Sequence, residues 1–189
     1  MEHFSNGWAT VRQDIVPWLI LYVVFSVVMS FTGGLGIILL PNMFRATRKA
    51  LAGGTAPEVG DVFNFDNLTD DLVGMLLKGI ADCAGSLACG VGAIATSVLF
   101  FWVPLLATEN RYDGMGLMKA SFAHAKGNFG EILIFLLVAM VVNFLGVLAC
   151  CIGIFITAPV TLVAMAHFYE ANREAILAAA DGAGVEAKA

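Results

Sequence analysis

The sequence predicts an all-α integral membrane protein with about six transmembrane helices, arranged as three hairpins with short interfacial amphipathic helices between them. Three observations lead there. Of 189 residues, 59% are hydrophobic and only 13% charged, against about 25% charged in an ordinary soluble domain, so polar side chains are too few to cover a soluble globule. The mean hydropathy is +0.85. The charges also cluster, leaving long uncharged runs at 15–44, 83–108 and 132–169. A spanning helix needs about 20 apolar residues, so all three runs qualify.

These features argue against a soluble enzyme, a disordered chain or a nucleic-acid module. Lys and Arg total 10 against 15 Asp and Glu, and no basic stripe of the kind a nucleic-acid binder needs is present. The opening MEHFSNGWATVRQD is too polar for the apolar core of a signal peptide, so the N-terminus is read as retained. Phe4–Arg12, with Trp8 as its anchor, reads as an interfacial helix.

The first hairpin is placed at 15–52. Asp14 opens it, a long apolar stretch follows, TGGLG at 32–36 turns it, and Pro41 and the basic trio Arg45, Arg48 and Lys49 close it. The third, at 130–170, repeats the plan from Glu131 through GVLACCIG at 146–153 to Pro159. The spacing from acid to proline is nearly the same in the two, Asp14 to Pro41 and Glu131 to Pro159, a repeat signal. The middle hairpin, 72–108, turns near Gly90-Val91-Gly92. Continuous apolar runs favour helices over barrel strands, and glycine at the corners supplies the backbone freedom of a tight reversal. A rival reading makes each run one tilted helix, giving three or four crossings. Against it, a single helix over 132–169 would span about 57 Å. Residues 1–172 are read as one membrane domain and 173–189 as a flexible tail that extends the last helix a turn or two.

Basic residues flank the hairpins and are absent from their tips, so the positive-inside rule puts both termini on the cytoplasmic side. The second arm of the first hairpin is short before Arg45, about 15 Å of helix. Arg45 therefore snorkels, is buried on a neighbour, or marks a shallow hairpin. Residues 53–71 form an acidic linker, ending the preceding helix at Gly53-Gly54. Residues 113–129 read as an interfacial helix with Met115, Met118, Phe122 and Ala125 on one side and Lys119 and Lys126 flanking, suited to anionic headgroups.

The order of elements, from PNMFRATRKALAGG through EVGDVFNFDN and FFWVPLLATEN to DGMGLMKASFAHAKGNFGEI and TAPVTLVAMAHFYEA, resembles a broad prokaryotic family of uncharacterised multi-spanning membrane proteins. It is also similar to the membrane domain of some glycerophosphoryl diester phosphodiesterases. The matching residues before the last hairpin are Ala120, Ser121, Phe122, Lys126, Asn128 and Phe129. The resemblance implies topology. The phosphodiesterase catalytic domain has no counterpart here, so no catalytic residue is implied.

The polar residues inside the apolar runs are the candidates for chemistry: Arg45, Lys78, Asp82, Asn143 and His167. Lys78 and Asp82 are four apart and can pair on one helix face. Asn143 can hydrogen-bond across a helix interface. His167, His3 and His124 read as interfacial or solvated. The small residues Gly74, Ala81, Gly85, Ala88, Gly92 and Ala95 let helices approach closely. Cys83, Cys89, Cys150 and Cys151 lack zinc-like spacing and read as buried small residues; no cofactor is expected, and no metal site. Without any recognised catalytic motif, the expected function is non-enzymatic: an accessory, scaffolding or lipid-organising subunit. Its expected partners are membrane lipids and either further copies of itself or a larger membrane complex. The alternative is a small channel or transporter using Lys78/Asp82 or Arg45.

Overall fold

A computed structural model describes residues 2–32, 35–64, 66–87, 91–148 and 153–188. The described residues are helical or irregular, with no strand among them. Three stretches are long and apolar enough to cross a membrane: Val91–Glu109, Phe129–Leu148 and Ile154–Gly182. A fourth arises if Glu2–Val11 and Ile15–Phe31, bent by 101°, form one span. The other arms of the three runs are less apolar. Leu40–Gly53 is 14 residues long and carries Arg45, Arg48 and Lys49, and Leu68–Leu87 carries Asp70, Asp71, Lys78 and Asp82.

The chain divides into two compact units. The first comprises 1–64 and 137–171. It holds α1 (Glu2–Val11), α2 (Ile15–Phe31), a 3-10 turn at Leu35–Leu39, α3 (Leu40–Gly53), a 3-10 turn at Val59–Phe63, and parts of α8 (Phe129–Leu148) and α9 (Ile154–Gly182). Pro41 sits in the first turn of α3, where its missing N–H costs nothing. Gly54, at φ +61°, ends that helix in the left-handed region. Gly7 brings α1 onto α9: a Cβ there would lie 2.8 Å from the Val160 carbonyl oxygen. The core includes Trp18, Leu21, Met43, Phe44, Val163, Phe168 and Tyr169. In the acidic linker, Val62 is fully buried while Phe63 is exposed.

The second unit comprises 65–136 and 172–189. It holds α4 (Leu68–Leu87), α5 (Val91–Leu99), α6 (Val103–Leu106), α7 (Gly114–Ala125) and the remaining parts of α8 and α9. Asp113 caps α7, its Oδ1 accepting from the Gly116 amide at 2.7 Å. The cap satisfies one of the orphan donors at the helix start. Trp102, Leu105, Leu106, Leu117, Ile132 and Ile176 form the core.

The arms of each apolar run touch near its corner. Gly36 folds back against Met29, Gly85 against Gly92 and Thr96, and Gly146 against Thr157. The expected corners themselves (Gly33, Gly34, Cys89, Gly90, Cys150 and Cys151), and the small residue Ala88, lie outside the described residues.

The end of the chain differs from its sequence reading. The tail does not fray after a turn or two: α9 continues to Gly182, and the residues beyond it are held. The Lys188 amide donates to the Arg111 carbonyl at 2.8 Å, Lys188 pairs with Asp70, Arg111 pairs with Asp181 at 2.9 Å, and Val185 is buried. These contacts reach distant parts of the chain, which composition cannot show. In α7, Gly116, Leu117, Ala120, Ser121 and His124 pack inward while Met115 and Phe122 are exposed; Ala125, expected on the same side as those two, is buried.

Candidate functional site

Each polar residue singled out in the apolar runs has its own setting. On α4, one helical turn places Lys78 over Asp82, and the pair closes at 2.5 Å with both side chains partly buried. Only one carboxylate oxygen is engaged; Asp82 Oδ1 is buried and without a hydrogen-bond partner among the described residues. Asn143 donates to the Ala139 carbonyl and, across to α9, to the Thr161 hydroxyl, both at 2.8 Å. Thr161 in turn donates to the Thr157 carbonyl at 2.9 Å. Hydroxyl and amide thus satisfy each other between two apolar helices.

Arg45 lies on α3, where its Nη1 donates to Asn42 Oδ1 at 2.5 Å. Asn42 is buried, and its amide donates to the carbonyls of Val62 and Asn64. The arginine therefore belongs to a clasp that holds the acidic linker against α3. The neighbouring bases act alike: Lys49 pairs with Asp61 at 3.0 Å, and Arg48 pairs with Glu170 at 2.5 Å while its guanidinium lies 5.0 Å from the Tyr169 ring centre.

His167, on α9, lines a cavity of about 440 Å³ in the first unit. Its Nε2 is buried and without a hydrogen-bond partner among the described residues.

Of the small residues, Gly74 and Gly85 are true contact points. A Cβ on Gly74 would lie 2.8 Å from Leu117 Cδ1, and one on Gly114, opposite, would lie 2.8 Å from the Gly74 amide nitrogen. One on Gly85 would lie 2.6 Å from Thr96 Oγ1 and 2.7 Å from the Gly92 carbonyl oxygen. Ala81, Gly92 and Ala95 are half-buried.

The second unit contains a polar cluster that patterning alone missed. His124, read from sequence as interfacial or solvated, is buried. Its Nδ1 accepts from the indole Nε1 of Trp102 at 3.0 Å. An indole N–H only donates, so this Nδ1 carries no proton and the neutral ring holds its proton on Nε2; the Asn128 side-chain NH2 beside it donates to the His124 backbone carbonyl at 3.1 Å. Desolvation lowers the His124 pKa from its usual 6.5. Beside it, Ser121 donates to the Leu99 carbonyl at 2.8 Å and accepts from the Trp102 amide at 3.2 Å. Together these bonds lock α7 to the 99–102 turn. Just before the start of α7, burial raises the Tyr112 pKa, and its hydroxyl is buried without a partner among the described residues. Glu109 receives both Nε and Nη2 of Arg173, at 2.8 and 2.5 Å.

Among the described residues, no three His, Cys, Asp or Glu side chains lie together as a metal site would require. Cys83 is free and exposed. No family model, no curated protein and no solved structure matches this chain.

Proposed function

We propose that this chain is a non-enzymatic multi-spanning membrane protein, an accessory, scaffolding or lipid-organising subunit acting through helix packing and oligomerisation. In this reading the three apolar runs are three hairpins with six crossings, and both termini face the cytoplasm of a prokaryotic inner membrane.

One observation carries the reading. The polar groups of the apolar helices are largely engaged inside their own unit, whereas the outward surface is broad and greasy. Lys78 meets Asp82, Asn143 meets Thr161, and Ser26 and Ser30 donate to carbonyls one turn back. Outward, α4 exposes Val73, Leu76, Ile80 and Leu87, and α8 exposes Ile134, Met140, Phe144 and Leu148. Apolar area of this extent belongs against lipid or another helix. On α7, Met115 and Phe122 face outward beside exposed Lys119 and Lys126, as a helix lying on anionic headgroups requires.

The test is the mass of the particle in mild detergent, with any co-purifying lipid or protein identified. A particle of several 20.0 kDa chains, or one carrying a partner or retained lipid, is expected. A lone, lipid-free monomer overturns the proposal.

The buried, unpartnered Asp82 Oδ1 favours a second reading, a small channel or transporter. Solute flux in liposomes that disappears in Asp82→Asn would establish it in place of the scaffold.

A further inference from the structure

The cavity beside His167 lies wholly within the first unit. Its walls come from the end of α1 (Thr10), the connection after it (Gln13, Asp14), the start of α2 (Trp18), the end of α3 and the turn beyond (Thr55), and α9 (His167). At about 440 Å³ it is large enough for a small molecule or a lipid headgroup.

The chemistry of its lining is one-sided. Asp14 occupies the N-cap position of α2 but does not cap it, and its carboxylate makes no hydrogen bond or ion pair among the described residues. No Lys or Arg lines the space. Trp18, almost wholly buried, supplies an aromatic wall. His167 lines the space as well, but its Nε2 is buried and turned away from it. The Thr10 hydroxyl gives its proton to the Asn6 carbonyl at 3.0 Å, so only its lone pairs remain for a guest. The last carbonyls of α3 add partial negative charge. An anion would meet the Asp14 carboxylate and no cation. An ammonium group would meet a free carboxylate, acceptor oxygens and an aromatic wall, a set that recognises organic cations.

We propose that this cavity is a binding site for an ammonium-bearing ligand, with Asp14 as counter-ion and Trp18 as aromatic wall. The ammonium belongs either to a small free amine or to an aminophospholipid headgroup. This goes beyond the scaffold reading and does not rest on it: a chain that binds no amine is still able to assemble.

The test is calorimetric titration of ethanolamine into the full chain, in maltoside micelles and in phosphatidylglycerol nanodiscs, with sodium acetate as the anionic control. Saturable binding of ethanolamine and none of acetate is expected. Asp14→Asn is expected to weaken binding at least about tenfold, the scale of one charge-assisted contact. Asp61→Asn, which removes a carboxylate already engaged by Lys49, is expected to leave it unchanged. Thermal melting of both variants separates lost binding from lost folding. Repeating the titration in discs that include phosphatidylethanolamine identifies the source: competition assigns the site to the headgroup, and undiminished binding assigns it to the free amine. No saturable ethanolamine binding in either setting, or equal binding by folded Asp14→Asn, overturns the proposal.

Discussion

His124 shows how one residue ties burial to pH. The ring must be neutral for Nδ1 to accept the Trp102 N–H, and desolvation lowers its pKa in the folded state below the 6.5 of the unfolded chain. The sign follows from linkage. The unfolded chain takes up the proton first, so stability from the neutral ring is fully present above about pH 6.5. It is lost as pH falls from there through the folded-state pKa. Thermal melting in detergent is expected to show a lower Tm at pH 5 than at pH 7.5, with the difference reduced in His124→Gln. An equal pH dependence in both proteins would disprove this role for the ring. Asn143 makes a second single-residue case. Asn143→Leu leaves Thr161 bonded to the Thr157 carbonyl and removes the interhelical bond together with the Asn143 bond to its own helix at the Ala139 carbonyl, which keeps its backbone partner. It is expected to cost about 1 kcal/mol, the scale of such bonds between apolar helices, as measured by detergent or denaturant unfolding. The Lys78–Asp82 pair was legible in the sequence because its partners are one turn apart. The Trp102–His124 bond was not: its partners are 22 residues apart, and a lone histidine among Ala and Lys carries no signal of burial.

At the scale of the element, α4 carries two different glycines in one helix. Gly85 abuts Thr96 and the backbone of Gly92, whereas a Cβ on Gly79 would meet nothing within 4 Å. Gly85→Ala forces a shift against backbone and is expected to destabilise by about 1–3 kcal/mol, as overpacked cores do. Gly79→Ala fills open space and is expected to be neutral or to stabilise by up to about 1 kcal/mol through helix propensity. Unfolding of the two variants side by side checks this, and equal effects would show that the α4–α5 contact does not depend on the small residue. The helical character of the apolar runs was visible in their length and continuity. The buried face of α7 was not. Its contact with α4 uses Gly114 and Gly74, and a face of Gly, Ala and Ser leaves no hydrophobic stripe in the sequence, while the visible Met and Phe stripe points away.

For the molecule as a whole, the sequence showed helical stretches long and apolar enough to cross a membrane, because composition and charge spacing are global quantities. It did not show the division into two units, because each is assembled from distant pieces of chain. The Arg48–Glu170 bridge spans 122 residues and the Arg173–Glu109 bridge 64. The tail belongs to this category. Deleting residues 183–189 removes the Lys188 contacts to Asp70 and Arg111 and exposes the Val185 site. The truncated chain is expected to lose about 1–2 kcal/mol, chiefly from Val185 burial, since exposed ion pairs contribute little. Faster proteolysis near Asp70 and Arg111 is the measurement, and unchanged cleavage would show that the tail merely rests there.

The discontinuity of the first unit also sets a timetable during synthesis. Arg48 leaves the ribosome 122 residues ahead of Glu170. At about 5–20 residues per second, its partner follows about 6–24 seconds later. Through that interval the basic end of α3 has no carboxylate from α9 to hold it. The nascent chain therefore spends its early life with Arg48 lacking its α9 carboxylate, while Lys49 meets Asp61 only 12 residues later.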